Sequence, residues 1–135
     1  MRYMLDTNIC IYITKRHAPQ VLNRLTALTQ GSAVMSVVTY AELRHGIERC
    51  PPDDWAAADD ALQRFIQRVP VLPFDENAAK SYGVLAAAVR DRSRDAMDRL
   101  IAAHAVSAGV TLVTNNEADF KDYPGLVIEN WAVSR

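Results

Sequence analysis

Residues 96–114, AMDRLIAAHAVSAGVTLVT, decide the fold class. Their first thirteen positions form an alanine-rich helical pattern, with Asp98 in the opening turn, where the helix dipole favours an acid. Gly109 stands where such a helix would stop. VTLVT, residues 110–114, is a β-branched run of strand length. Ala102, Ala103, Ala105 and Ala108 suit close packing of a helix on a sheet. His104 lies one turn from Leu100 and Ile101, on the stripe with Met97 and Ala108, and reads as a packed core residue before a catalytic one.

The same alternation extends in both directions. RYML (2–5) reads as a first strand and NICIYITKR (8–16) as the helix it enters. PQVLNRLTALTQ begins a second helix at Pro19, a favoured first helical position, and stops near Gly31. AVMSV (33–37) is a second strand, followed by the helix TYAELRHGIER (39–49). Pro51-Pro52 ends that helix, and Asp53 or Asp54 caps the next, DWAAADDALQRFIQR. VPVL (69–72) is a short third strand, and Asp75 caps ENAAKSYGVLAAAVR (76–90). DRSRD (91–95) is a polar interruption. After VTLVT, Asn115-Asn116 makes a turn and LVIEN (126–130) a fifth strand. Strands separated by helices imply βαβ crossovers and a mostly parallel sheet covered on both faces. The expectation is one three-layer α/β domain spanning residues 1–135.

Bulk composition fits that size. The chain has 135 residues, half of them hydrophobic and 23% charged, which favours a single globular domain with its own core. Cys10 and Cys50 are too few for a disulfide framework and point to reduced thiols and a cytoplasmic protein. The apolar start is broken by Asp6 and Asn8 and is too short for a membrane span, so neither a targeting segment nor a membrane association is expected. Lys+Arg is 15 against Asp+Glu 16, a net charge of −1. A partner of nucleic acid would therefore have to be held by a local basic patch and bound metal rather than by bulk charge.

Four acids fall where strands hand over to helices or where helices begin: Asp6, Glu42, Asp98 and, less directly, Asp119. Each has a plain structural explanation. Asp6 resembles an N-cap. Glu42 completes the capping box Thr39-Tyr-Ala-Glu42, and Asp98 favours a helix start. Together they would share one edge of a parallel sheet. Two carboxylates ~4 Å apart repel by roughly 4 kcal/mol at an effective dielectric of 20, so such a cluster calls for protons or a hard divalent cation. That combination points to metal-assisted phosphoryl chemistry. Arg90, Arg92, Arg94 and Arg99 surround Asp98 and are either a solvated face or a phosphate grip. Tyr12, Trp55 and Phe65 could stack bases but lack a spacing rule.

These residues and their order resemble the PIN-domain ribonucleases, and within them the VapC toxins of toxin–antitoxin pairs. The resemblance is carried by MLDTNICIY (4–12), SVVTYAELRHGIE (36–48), VPVLPFDENAAKSYG (69–83), MDRLIAAHAVSAGVTLVTNNEADF (97–120) and PGLVIENW (124–131), nearly end to end. It implies a PIN-like five-stranded sheet, Mg²⁺- or Mn²⁺-dependent cleavage of RNA such as tRNA or rRNA, a VapB-type antitoxin partner and a homodimer. Asp6, Glu42 and Asp98 match the family's metal-site acids, Thr7 and Asn8 its DTN triplet, and Thr39 its hydroxyl residue. The fourth acid of many members falls at Asn116, an amide here, with Asp119 the nearest carboxylate. RDRSRDAM replaces a Gly- and Pro-containing loop, which leaves Asp95 beside Asp98 as a possible ligand. For the antitoxin, the helices beginning at Ile9 and Trp55 offer Ile13 and Trp55 as apolar contacts. Two other readings are a PIN nuclease of RNA maturation and a receiver-type signalling domain. The latter would show adjacent acids after the first strand and a Lys after the last, neither of which is present.

Overall fold

A computed structural model describes residues 1–89 and 96–132. Five strands form one sheet in the order β3-β2-β1-β4-β5, and every pair is parallel. They are β1 Tyr3–Leu5, β2 Ala33–Ser36, β3 Val71–Leu72, β4 Thr111–Val113 and β5 Ile128–Glu129. The helices are α1 Thr7–Thr14, α2 Pro19–Thr26, α3 Val37–Glu48, α4 Trp55–Arg68, α5 Glu76–Ala88, α6 Ala96–Ala108 and α7 Glu117–Phe120. None of them is long and apolar enough to cross a membrane.

Strands β1 and β2 and most of β4 are buried on both faces, so their side chains alternate between two cores rather than between core and water. Tyr3 and Leu5 of β1, Ala33 and Met35 of β2 and Val113 of β4 pack with α1, α2 and α4. Met4, Val34 and Leu112, the residues between them, pack with α5, α6 and Phe120 of α7. That is the expected three-layer architecture. The alanines of α6 serve as anticipated: Ala102, Ala103 and Ala105 are fully buried. Helix α3 touches both layers, with Tyr40 and Leu43 on the first core and Val38 on the second.

Local signals fixed most boundaries. Gly109, at φ +69°, ends α6 in a conformation that disfavours side chains with a Cβ. Asp75 accepts from the Ala78 N–H at 2.9 Å and caps α5. Its replacement by alanine should cost about 1 kcal/mol, read as a lower urea midpoint with an unchanged slope.

Several readings need correction, among them the second helix, which ends at Thr26 rather than near Gly31. Helix α3 starts at Val37, and its cap is Ser36, whose hydroxyl accepts from the Val38 N–H. Thr39 and Glu42 are therefore inside the helix, and the capping box does not form. Asp54 stands at the N-cap of α4 with no side-chain bond, because a 3-10 turn, Pro52–Asp54, leads into the helix instead. The Asn115-Asn116 turn is followed by a short helix, α7, too brief to leave a periodic pattern. Strands β3, β4 and β5 are also shorter than the apolar runs that contain them.

Candidate active site

The chain order around β1 sets the site. From β1 the chain moves to β2 and β3 on one side, then crosses back through α5 and α6 to β4 on the other. Connections thus leave in opposite directions on either side of the β1/β4 pair. Such a switch point opens a crevice at the carboxyl ends of the strands. Asp6 follows β1 directly there, and its backbone N–H bonds the Val113 carbonyl of β4 at 3.0 Å.

Asp6 is both a cap and something more. Its carboxylate accepts from the Ile9 N–H at 2.9 Å, as an N-cap should. The side chain is only 4% exposed. Burial raises its pKa from 3.8 to about 6; hydrogen bonds from Thr114 and Ile9 pull the other way, and the charges of Asp98 and Glu42 add to the rise. The charges of Asp98 and Glu42 are thus felt at Asp6. Among the described residues, no cationic side chain acts on Asp6.

Glu42 reaches this region from the second turn of α3. Thr7 Oγ1 donates to Glu42 Oε1 at 2.6 Å and lies 3.3 Å from Thr39 Oγ1. Thr39 is fully buried. The DTN triplet thus works on two fronts, with Asp6 at the cleft and Thr7 steadying the carboxylate opposite. Thr7→Val is expected to lower turnover about tenfold with little change in melting temperature, the cost of one charge-assisted bond to Glu42. Steady-state cleavage rates beside a thermal melt would check this.

Asp98 enters from the first turn of α6 and is half-buried. Asn116 is the N-cap residue of α7; its backbone N–H, not its side chain, is engaged, donating to Thr114 Oγ1 at 3.0 Å. Thr114, fully buried at the end of β4, therefore joins Asn116 to Asp6. Sequence reading missed Thr114, although its position after a strand at the same edge as Asp6 was a usable signal. Asp119 is exposed on α7. Asp95 and the arginines at 90, 92 and 94 lie outside the described residues.

The other candidates sort cleanly. His104 is buried, and desolvation lowers its pKa, as a packed core histidine requires. Arg99 is buried too, so it is not part of a solvated face. Phe65 and Ile13 belong to the core and cannot receive a base or an antitoxin. Tyr12 is half-buried and accepts a hydrogen bond from Asn115 Nδ2 at 2.8 Å. Trp55 is 39% exposed, with its indole N–H on the Cys50 carbonyl, and remains available to a partner.

Among the described residues, no three Asp, Glu, His or Cys side chains are close enough to make a ready-made cation cage. The donor set nevertheless suits a hydrated hard ion. Magnesium keeps several waters and takes one or two carboxylates rather than a full protein shell. A buried carboxyl, raised in pKa and faced by two more, is the setting such an ion would relieve.

Residues 3–126 match the PIN domain family. The chain belongs to that family. Within it, the chain is 34% identical to ribonuclease VapC2 of Rickettsia felis over 134 residues, covering 97% of this chain and 98% of that one. It is 36% identical to the tRNA(fMet)-specific endonuclease VapC of Shigella flexneri, covering 98% and 99%. Among solved structures it resembles VapBC-1 of nontypeable Haemophilus influenzae, with a TM-score of 0.87, 32% identity and coverage of 98% and 100%. The DNA-bound VapBC of Salmonella typhimurium matches with a TM-score of 0.87 and 32% identity over 97% and 98%. This PIN domain is therefore of the VapC type along its full described length, and its parallel five-stranded sheet is the fold these relatives share.

Proposed function

We propose that this PIN domain is an endoribonuclease and the toxin of a toxin–antitoxin pair, hydrolysing RNA with Mg²⁺ or Mn²⁺ bound at Asp6 and Asp98. The observation that supports the proposal most is the buried Asp6 at the switch point, its pKa raised by burial and further by the charges of Asp98 and Glu42. A bound divalent ion would supply positive charge to the phosphate oxygens and acidify a water at neutral pH. The protein contributes the rest. Asp6 and Asp98 would offer the oxygen ligands. Glu42, oriented by Thr7, orients the attacking water and accepts its proton. The new bond joins water oxygen to phosphorus, the bond from phosphorus to the leaving ribose oxygen breaks, and that oxygen takes a proton from solvent. Asn116 offers a carbonyl oxygen without charge, which favours one tight cation position over two.

The relatives support the biological setting. One is named for tRNA(fMet), and several solved neighbours are VapBC complexes. On that basis we assign RNA, with tRNA first and rRNA second, as substrate, a VapB-type antitoxin as partner, a homodimer as assembly and the cytoplasm as location. Trp55 is the exposed aromatic that an antitoxin segment would cover. Sequencing of RNA ends after induced expression should show one dominant new end, absent with Asp6→Asn. Identical end profiles for both would reject the assignment.

A further inference from the structure

Ser36 and His104 lie outside the acidic crevice, yet they join the two helices that deliver two of its carboxylates. Ser36 precedes α3, which carries Glu42, and His104 belongs to α6, which carries Asp98. Both are buried, His104 at 3% exposed and Ser36 at 0%. His104 Nδ1 lies 2.8 Å from Ser36 Oγ.

Burial favours the neutral imidazole, which has a single N–H. Either ring tautomer makes the contact, because the Ser36 hydroxyl can donate to Nδ1 or accept from it. The Ser36 oxygen also accepts the Val38 N–H at 3.0 Å. Phe74 closes the site edge-on, with its ring centre 5.3 Å from the imidazole. One ring thus ties α6 to the cap of α3 and to the segment leading into α5.

Glu42 is six residues beyond Ser36, and Asp98 is six residues before His104. Each carboxylate is therefore about 9 Å of helix rise from the link. An apolar contact between α3 and α6 would let them slide by a fraction of an ångström at little cost. A buried hydrogen bond with both partners otherwise satisfied does not, because displacement strands a polar group.

We propose that His104 is a positioning residue: through Ser36 it fixes α3 against α6 and so sets Glu42 relative to Asp98. The proposal rests on the nuclease reading of the crevice. Its test is Mn²⁺ affinity, measured by electron paramagnetic resonance beside RNA cleavage, at a temperature where circular dichroism shows each protein fully folded. The set is wild type, His104→Leu, His104→Asn, Ser36→Ala and the Ser36→Ala/His104→Leu double variant.

His104→Leu should weaken Mn²⁺ binding by roughly 10–100-fold, as loss of an outer partner of a metal site does. His104→Asn, whose amide oxygen can stand near the Nδ1 position, should recover most of that loss. The double variant should be no worse than Ser36→Ala alone, which already removes both the link and the α3 cap. Wild-type Mn²⁺ affinity in His104→Leu, with only the melting temperature lowered, would overturn the proposal. So would an asparagine variant as weak as leucine. If His104→Leu does not fold, Ser36→Ala decides: weakened Mn²⁺ binding supports the link, and unchanged binding refutes it. A wild-type protein that neither binds Mn²⁺ nor cuts RNA would instead overturn the nuclease reading, and this inference with it.

Discussion

Asp6→Asn is expected to abolish RNA cleavage, a loss on the order of 10³-fold, while leaving the metal-free protein at least as stable as wild type. The two halves have different causes. Cleavage fails because the amide keeps an oxygen but loses the charge that would hold a divalent ion and tune its water. Stability holds because asparagine is as good an N-cap as aspartate, so the bond to the Ile9 N–H survives. Removing the charge also removes a penalty. A pKa raised from 3.8 to about 6 means that ionised Asp6 costs the folded state roughly 3 kcal/mol. Chemical denaturation at pH 7.5 without divalent ions, beside a cleavage assay, would show both effects. A variant that loses activity because it has unfolded would contradict this account.

The same shift fixes a pH dependence. Because the folded pKa of Asp6 lies above its unfolded value, the folded protein binds the extra proton between them. Asp6 therefore stabilises the fold fully below about pH 4, and that contribution is lost as pH rises to about 6 and beyond. In the Asp6→Asn variant, this component of the stability–pH curve should vanish.

Asp98→Asn is the second large effect. It should reduce cleavage to a similar degree, again without unfolding, since Asp98 is half-buried in the first turn of α6 and asparagine is tolerated there. It should also act at a distance on Asp6. Asp98 is one of the two charges that push the Asp6 pKa upward, so its neutralisation should bring Asp6 back toward the ordinary carboxylate range. Burial, the larger cause, remains, and the return should be partial. A carbon-13 NMR titration of the Asp6 carboxyl in wild type and variant would read this. An Asp6 titration indifferent to Asp98 would mean that the two do not share a crevice.

Much of this was legible in the sequence. The strand–helix alternation, the stop at Gly109 and the cap at Asp75 are short-range signals, and each was found where expected. The placement of Asp6 at the carboxyl end of β1, beside β4, could be argued because parallel topology sends successive strand ends to one edge. What local pattern could not resolve was competition between equivalent signals. Ser36 and Thr39 are both good caps, and only the extent of β2 decides between them; Ser36 wins and Glu42 is released to pair with Thr7. Thr114 was invisible for another reason. A lone threonine at a strand end has no meaning until the fold places it between Asp6 and Asn116. Ile13 shows the opposite error, since an apolar residue on a surface-seeming helix cannot be told from core until the layer above it is known.

Asp6, buried at the switch point with its pKa raised, is the carboxylate we propose for a divalent cation. Titration of the Asp6 carboxyl by NMR with and without Mg²⁺ tests this most directly. A midpoint near 6 is expected in the absence of the ion, with a marked fall when it is added. A midpoint near 3.8, or one that Mg²⁺ leaves unmoved, would contradict the proposal.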